Sequence, residues 1–265
     1  MSFNEYMNQI EKKRKKRRLI SLVIIFMLLP AIALLLYQPF QFYIKDPLTI
    51  KHANADANTY DATQIEQNEA WIDSLTNDSD VDEIKENHPN LYEDTGITYD
   101  WNAVRLIDRI PSDATINKRL YRGQLFIPAL EMNVPIVEGV SNENLYTGAS
   151  TMKPNMKLGQ GNYSLAGHLM PDPNSLFSPL KRAEHGMKVY ATDKNYVFVY
   201  EIKQIEYVAP TEIQWVEDVE GETLITLVTC GTLDGKSRII VQGSFVEKLD
   251  VNELDTQLYE SYIAN

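Results

Sequence analysis

Cys230 closes the run Thr226-Leu227-Val228-Thr229-Cys230-Gly231 and is the only cysteine in the chain. One thiol cannot make an intrachain disulfide, nor can it build a zinc site alone. It is either a small hydrophobe of the core or a reactive nucleophile. A nucleophilic thiol needs a proton carrier, to deprotonate it before attack or to protonate a leaving amine. Imidazole suits that task near neutral pH, and His168 ends the segment Ser164-Leu165-Ala166-Gly167-His168. Arg238, in Ser237-Arg238-Ile239-Ile240-Val241, offers a fixed charge and a planar fork of donors that could hold a carbonyl and stabilise an oxyanion. Each residue alone has a plainer reading: an inert core thiol, a polar loop histidine, a salt-bridged rim arginine. The remaining histidines, His52, His88 and His185, stand in the polar stretch or in turn-like context and read as structural.

These side chains need a rigid frame. From about Arg105 onward, turn signals separate short β-branched and aromatic runs. Gln124 to Leu130 and Asn133 to Val137 read as a hairpin region, and Asn162 to Ala166 as a short strand. Met187 to Ala191 and Tyr196 to Tyr207 flank the turn-like Asp193-Lys194-Asn195. Thr223 to Thr229 is almost continuously apolar or β-branched, as expected of a strand buried on both faces. Ile239, Val241 and Phe245 alternate with Arg238, Ile240, Gln242 and Ser244. Asn174 to Arg182 could form a short helix, bounded by Pro173 and interrupted at Pro179. The spacing predicts an all-β fold, a single barrel or sandwich with short helices. Cys230 and His168 then fall at strand ends and Arg238 at a strand start, where a rigid sheet presents reactive groups.

The N-terminal stretch sets a compartment. Leu19 to Tyr37 reads LISLVIIFMLLPAIALLLY and carries no charge. At roughly 1.5 Å per helical residue it spans a bilayer core of about 30 Å, and Pro30 is tolerated better in a membrane than in a soluble helix. The basic run Lys12, Lys13, Arg14, Lys15, Lys16, Arg17, Arg18 precedes it, which predicts a cytoplasmic N-terminus and an extracellular bulk. Ala31-Ile32-Ala33 resembles a signal-peptidase site, but the apolar run continues past it to Tyr37, so an uncleaved anchor in the lipid bilayer is expected. Outside the cell, an unpaired thiol is exposed to oxidation unless it is used.

Charge excludes one class of function. The net charge is -12 and the pI about 4.8, so the chain gains nothing from releasing counterions off a phosphate backbone, and no nucleic-acid partner is expected. Acidic residues concentrate between about Lys45 and Tyr99, among them Asp56, Asp61, Glu66, Glu69, Asp73, Asp78, Asp80, Asp82, Glu83 and Glu86. No sustained helical period stands out there, and the stretch reads as a solvated spacer with some helical content. The expected division is a basic tail over 1–18, a transmembrane helix over 19–38, a spacer over 39–104, a catalytic domain over 105–249 and a C-terminal tail over 250–265.

Thr226-Leu227-Val228-Thr229-Cys230, preceded by Ala166-Gly167-His168 and followed by Ser237-Arg238-Ile239-Ile240-Val241, resembles the sortases of Gram-positive bacteria, most closely their class A members. The resemblance covers about Arg105 to Phe245. It implies a closed β-barrel of about eight strands, with Cys230 as nucleophile, His168 as acid/base and Arg238 as the essential arginine. It also implies substrate contacts at Ala166, Val228 and Thr229. The implied reaction is a transpeptidation that cleaves an LPXTG-like signal of a surface protein between Thr and Gly. The thioester then passes to an amine of a peptidoglycan precursor. No lid motif is evident upstream of the barrel and no second span near Asn265, which argues against the pilus-polymerising class. Some class A enzymes bind calcium, but Glu131, Glu138 and Glu143 lack a diagnostic spacing, so no metal or cofactor is expected. A membrane-bound cysteine hydrolase would use the same thioester, and a peptide-binding scaffold would leave Cys230 incidental.

Overall fold

The computed structural model describes residues 3–76, 95–104, 110–111, 114–232 and 235–262. The expected domain start at Arg105, the acidic positions from Asp78 to Glu86, and His88 lie outside the described residues. The described chain divides into two units, Met1–Ile44 and Lys45–Asn265. The first contains helix α1, Phe3–Phe40. It is long and apolar enough to cross a bilayer by length and composition.

The second unit is built on eight strands: β1 Tyr121–Ile127, β2 Met132–Val137, β3 Ala149–Thr151, β4 Asn162–Ala166, β5 Lys188–Thr192, β6 Tyr196–Val208, β7 Leu224–Cys230 and β8 Arg238–Asp250. They close into a barrel in the order β1-β2-β3-β4-β7-β8-β6-β5. Closure removes the unpaired edges that an open sheet of this length would expose. The β2/β3 and β4/β7 pairs are parallel and the others antiparallel. Strand alternation fills the interior with Leu125, Ile127, Val134, Ile136, Leu165, Val189, Ala191, Ile225, Leu227, Ile239 and Val241. Each such valine, leucine or isoleucine contributes roughly 1.5–3 kcal/mol by leaving water.

All of β7 is buried, as its unbroken apolar run predicts. Its inward residues Ile225 and Leu227 join the barrel core, while Val228 turns outward with Ala166 and Ile240. A second apolar cluster covers that outer patch, drawing in Ala103, Val104, Val140, Leu145, Met152 and Val216. This covered patch positions the candidate site.

The stretch expected as a solvated spacer is corrected by the structure. Helices α2, Asp46–Asn58, and α3, Ala62–Thr76, pack on the barrel instead. The buried stripe is real but chemically quiet: Ile50, Ala53 and Ala57 on α2, Ile65 and Ile72 on α3. Two alanines and three widely spaced isoleucines give little apolar contrast, which hides the helical period. Side-chain amides do much of the docking. Asn54 Nδ2 donates to Asn133 O at 3.0 Å, and Asn68 Nδ2 donates to Lys118 O at 2.7 Å and Tyr121 O at 2.9 Å. Asp61 and Gln64 cap the start of α3 reciprocally: Gln64 N donates to Asp61 Oδ1 at 2.9 Å and Asp61 N to Gln64 Oε1 at 3.0 Å.

Two smaller expectations also shift. The helix expected over Asn174 to Arg182 is a 3-10 turn confined to Ser178–Arg182, with Pro179 in its first turn, where a missing N–H costs nothing. The expected C-terminal tail is partly ordered as helix α5, Thr256–Tyr262. Leu254, Leu258 and Tyr259 pack near Phe126, Val197 and Val199. Helix α4, Asn142–Leu145, lies between β2 and β3. Ser141 Oγ caps it, and Asn144 Nδ2 donates to Glu138 O at 2.8 Å and Gly139 O at 2.9 Å.

Candidate active site

Strand register assembles the three chemical residues. On the antiparallel β7/β8 pair, Cys230 stands directly opposite Arg238, so their side chains share one face. On the parallel β4/β7 pair, Ala166 pairs with Val228, and Gly167 N–H continues the ladder to Val228 O at 3.0 Å. His168 therefore lies two residues beyond Ala166, as Cys230 lies two beyond Val228. Parallel strands end together at their C-terminal ends, so register places both residues at that end of the β4/β7 pair.

Close packing fixes His168. Gly167 has no Cβ because the Phe177 ring occupies its place; a Cβ there would sit 2.4 Å from ring carbons. Phe177 N–H donates to His168 O at 3.1 Å. The Tyr146 ring, at the end of α4, lies 6.0 Å from the imidazole, centroid to centroid, tilted 39°. Tyr146 was not legible as part of the site, because its neighbours in sequence are ordinary helix-end residues.

Cys230 is 2% exposed and His168 is 0% exposed. Burial pushes the Cys230 thiol above its ordinary range, and the Arg238 charge pulls it partway back. Arg238 is half-buried. Its Nη1 donates to Gly235 O at 2.9 Å and Ser237 O at 3.2 Å, and its Nη2 to Val104 O at 2.6 Å. The same Val104 oxygen lies 4.0 Å from Cys230 Sγ. One carbonyl therefore faces both the thiol and the guanidinium, an arrangement suited to acyl chemistry on an amide.

The substrate-contact residues divide. Val228 lines a small cleft of about 50 Å³, open to solvent, together with Trp101, Val104, Val208, Trp215 and Arg238. Ala166 is fully buried beside Val228 in the same apolar cluster. Thr229 pairs with Ile239, whose side chain belongs to the barrel core, so the Thr229 hydroxyl points away from the thiol. What Thr229 can offer a substrate at this face is its main chain. The calcium candidates do not converge: Glu138 is ion-paired to Arg122 at 3.0 Å, and no cluster of three His, Cys, Asp or Glu that could hold a metal occurs among the described residues.

The sequence shows no lid motif, yet Trp101, Ala103 and Val104, in the segment 95–104, pack against Ala166 and Val228 beside the site. Their elements are an isolated Tyr99–Val140 bridge and a 3-10 turn Trp101–Ala103, capped by Asp100. Asp100 followed by Asn102 is a cap signal too short to have marked the segment from sequence.

Comparison with known proteins fits this geometry. Residues 125–246 match the family model described as the sortase domain. The chain is 37% identical over 173 residues to sortase A of Streptococcus agalactiae, covering 62% of this chain and 70% of that protein. It is 34% identical over 136 residues to sortase A of Bacillus anthracis, covering 51% of this chain and 64% of that protein. Among solved structures, sortase A of Listeria monocytogenes superposes with a TM-score of 0.51 at 28% identity, covering 55% of this chain and 99% of that one.

Proposed function

The chain belongs to the sortase family of cysteine transpeptidases, and we propose that it is a membrane-anchored member acting on an LPXTG-like sorting signal. In this reading Cys230 attacks the threonine carbonyl. The thiol proton passes to His168 as the S–C bond forms, and Arg238 holds the oxyanion. Collapse breaks the Thr–Gly bond, and His168 hands its proton to the leaving glycine amine. An amine of a peptidoglycan precursor then attacks the thioester, gives its proton to His168 and restores the thiol as the new amide forms. A thiol pushed up by burial suits a neutral resting pair. The anchor is α1, with the basic residues Lys12 to Arg18 on the cytoplasmic side and the barrel outside. The cleft holding Val228 would take the apolar part of the signal.

One observation carries this reading: Cys230 and Arg238 are register partners that face a single amide carbonyl, at 4.0 Å and 2.6 Å. The test is mass spectrometry of the full chain in detergent, incubated with a sorting-signal peptide and triglycine. The expected products are a Cys230 thioester and a new amide at threonine. Cleavage by Cys230→Ala would overturn the mechanism. A thioester yielding only free acid with every amine tried would make the protein a hydrolase.

A further inference from the structure

The outward face that carries Cys230 and Arg238 continues past the cleft of Val228. It runs down β7 and β8 from Val228↔Ile240 to Thr226↔Gln242 and Leu224↔Ser244. There, beside the β6–β7 loop, it opens into a second cleft of about 490 Å³, lined by Gln204, Gln214, Trp215, Glu222, Gln242 and Ser244. Gln242 lies four residues from Arg238 on β8, about 13 Å along the strand. Trp215 lines both clefts. No step of the reaction proposed above uses the second one.

A buried relay fixes the polarity of this cleft. Asn162 Nδ2 donates to Trp215 O at 2.8 Å and to Glu217 O at 2.9 Å, which leaves Asn162 Oδ1 as an acceptor. Thr226 Oγ1 donates to that oxygen at 2.7 Å. The hydroxyl has then spent its only proton, so it accepts from Gln242 Nε2, at 2.9 Å. Gln242 is 9% exposed, and its Oε1 accepts no hydrogen bond among the described residues. The relay therefore presents a fixed acceptor, which calls for a ligand N–H or O–H. A matching donor stands beside it. Trp215 Nε1 is buried without a partner, so its desolvation is uncompensated. A small turn of the indole would offer that N–H to a ligand carbonyl.

Charge and topology narrow the ligand. Lys203 also lines the cleft, but its ammonium is paired with Glu201. Glu222 is left as the cleft's one charge without an ion pair among the described residues, which disfavours phosphates and carboxylates. Strands β6, β7 and β8 each have a neighbour on both sides in the closed barrel. Their main-chain groups are spent in ladders, and no edge is free to take an extended peptide. Recognition falls to side chains. Gln204 and Gln242 are register partners on β6 and β8 and share one face. Planar amides of this kind pair with adjacent hydroxyls, and an indole gives ring C–H groups a flat apolar wall.

We propose that this cleft is a carbohydrate site that holds a neutral N-acetylated glycan, its acetamido N–H on Gln242 Oε1 and its acetamido carbonyl on Trp215 Nε1. The site is separate from the catalytic one, and occupying it would hold the barrel against a sugar chain while Cys230 works nearby.

The test is calorimetric titration of the full chain in detergent, as Cys230→Ala so that no turnover intervenes, with tetra-N-acetylchitotetraose. Saturable binding at millimolar sugar or below is expected, with cellotetraose, which lacks the acetamido groups, binding much more weakly. Gln242→Met removes the acceptor and should weaken binding about five- to tenfold. Gln242 is buried, so a second variant guards against misfolding: Gln204→Ala with Gln214→Ala changes two exposed side chains and should cost a few-fold. Glycan strands stripped of stem peptides and a lipid-linked disaccharide precursor, run as separate arms, tell the two sources of such a sugar apart. Failure of the tetramer and of both arms to bind would overturn the proposal. So would equal binding of cellotetraose, or unchanged affinity in folded Gln242→Met and in the double variant. A neutral Ser- and Asn-rich peptide that displaces the tetramer from the parent, and loses affinity in the same variants, would make the cleft a peptide subsite instead. Cleavage by Cys230→Ala would sink the catalytic reading and leave this one standing.

Discussion

Cys230 and Arg238 face each other across β7 and β8, fixed by a seven-pair antiparallel register that runs from Leu224↔Ser244 to Cys230↔Arg238. Their spacing is set by two buried strands and not by loops. The site is built as part of the barrel wall, so substitutions at these positions should report chemistry more than folding.

Arg238→Lys tests the fork. Lysine keeps the charge but cannot hold a carbonyl and still reach the Gly235 and Ser237 oxygens that Arg238 Nη1 engages. The expected result is a fall in kcat/KM of about 10²–10³-fold, the range for losing an oxyanion donor, with a melting temperature close to the parent. Steady-state cleavage of a fluorogenic sorting peptide checks it, and a loss under threefold would reduce Arg238 to a diffuse charge.

The raised Cys230 thiol gives a pH prediction. Below its folded-state pKa the thiol stays protonated, so alkylation near neutral pH should lag that of a free thiol and rise only on the alkaline side of the ordinary range. The linkage has the same origin. A thiol raised by folding is bound to its proton more tightly in the folded state. Its stabilising contribution is present below the unfolded pKa of 9.0 and is lost as pH climbs through the raised value. Urea melts of the parent and Cys230→Ser, compared from pH 7 to 10, should converge as pH rises; parallel curves would show that the thiol is not shifted.

How much of this was legible follows from where the signal lies. Cys230, His168 and Arg238 could be read because strand-forming runs end or begin at them, and strand register then did the rest. The β7 run was legible because burial on both faces leaves no polar gap. Some helical content was expected over α2 and α3, but their docking was not legible, since it relies on Ala53, Ala57, Asn54 and Asn68, residues that look like linker composition. Thr229 shows the limit of motif reading: it is next to Cys230 in sequence, and period-two alternation sends its side chain to the other face. The contact that Val104 makes with Arg238 escaped notice because it is made by a main-chain carbonyl, which every residue type possesses.

Gly167→Ala should injure His168 through Phe177. A new Cβ would stand 2.4 Å from ring carbons of a fully buried Phe177, and overpacking of this kind costs about 1–3 kcal/mol. The ring and its hydrogen bond to His168 O would shift together, so kcat should fall at least about tenfold while the protein still folds. Adding Phe177→Leu should recover part of the activity. A double variant no better than Gly167→Ala would mean that the glycine matters for backbone freedom and not for room.

Two truncations separate the anchor from the docked helices. A protein of residues 45–265 keeps the whole second unit; it should be soluble, melt like the full chain and cleave a short peptide at an ordinary rate, since α1 as the proposed anchor would supply location and effective concentration. Removing residues 1–76 also deletes α2 and α3. That uncovers the cluster of Ile97, Tyr121 and Val137 on which Ile65 and Ile72 pack, and strips Glu69 from the buried Arg122. The two isoleucines alone account for roughly 3–6 kcal/mol of burial before the entropy of ordering the helices is set against it. A net loss of a few kcal/mol corresponds to a drop of about 5–15 °C for a domain of this size. Calorimetry on the pair decides it: equal melting temperatures would mean that α2 and α3 only decorate the barrel, and the acidic stretch would revert to the spacer its composition suggests.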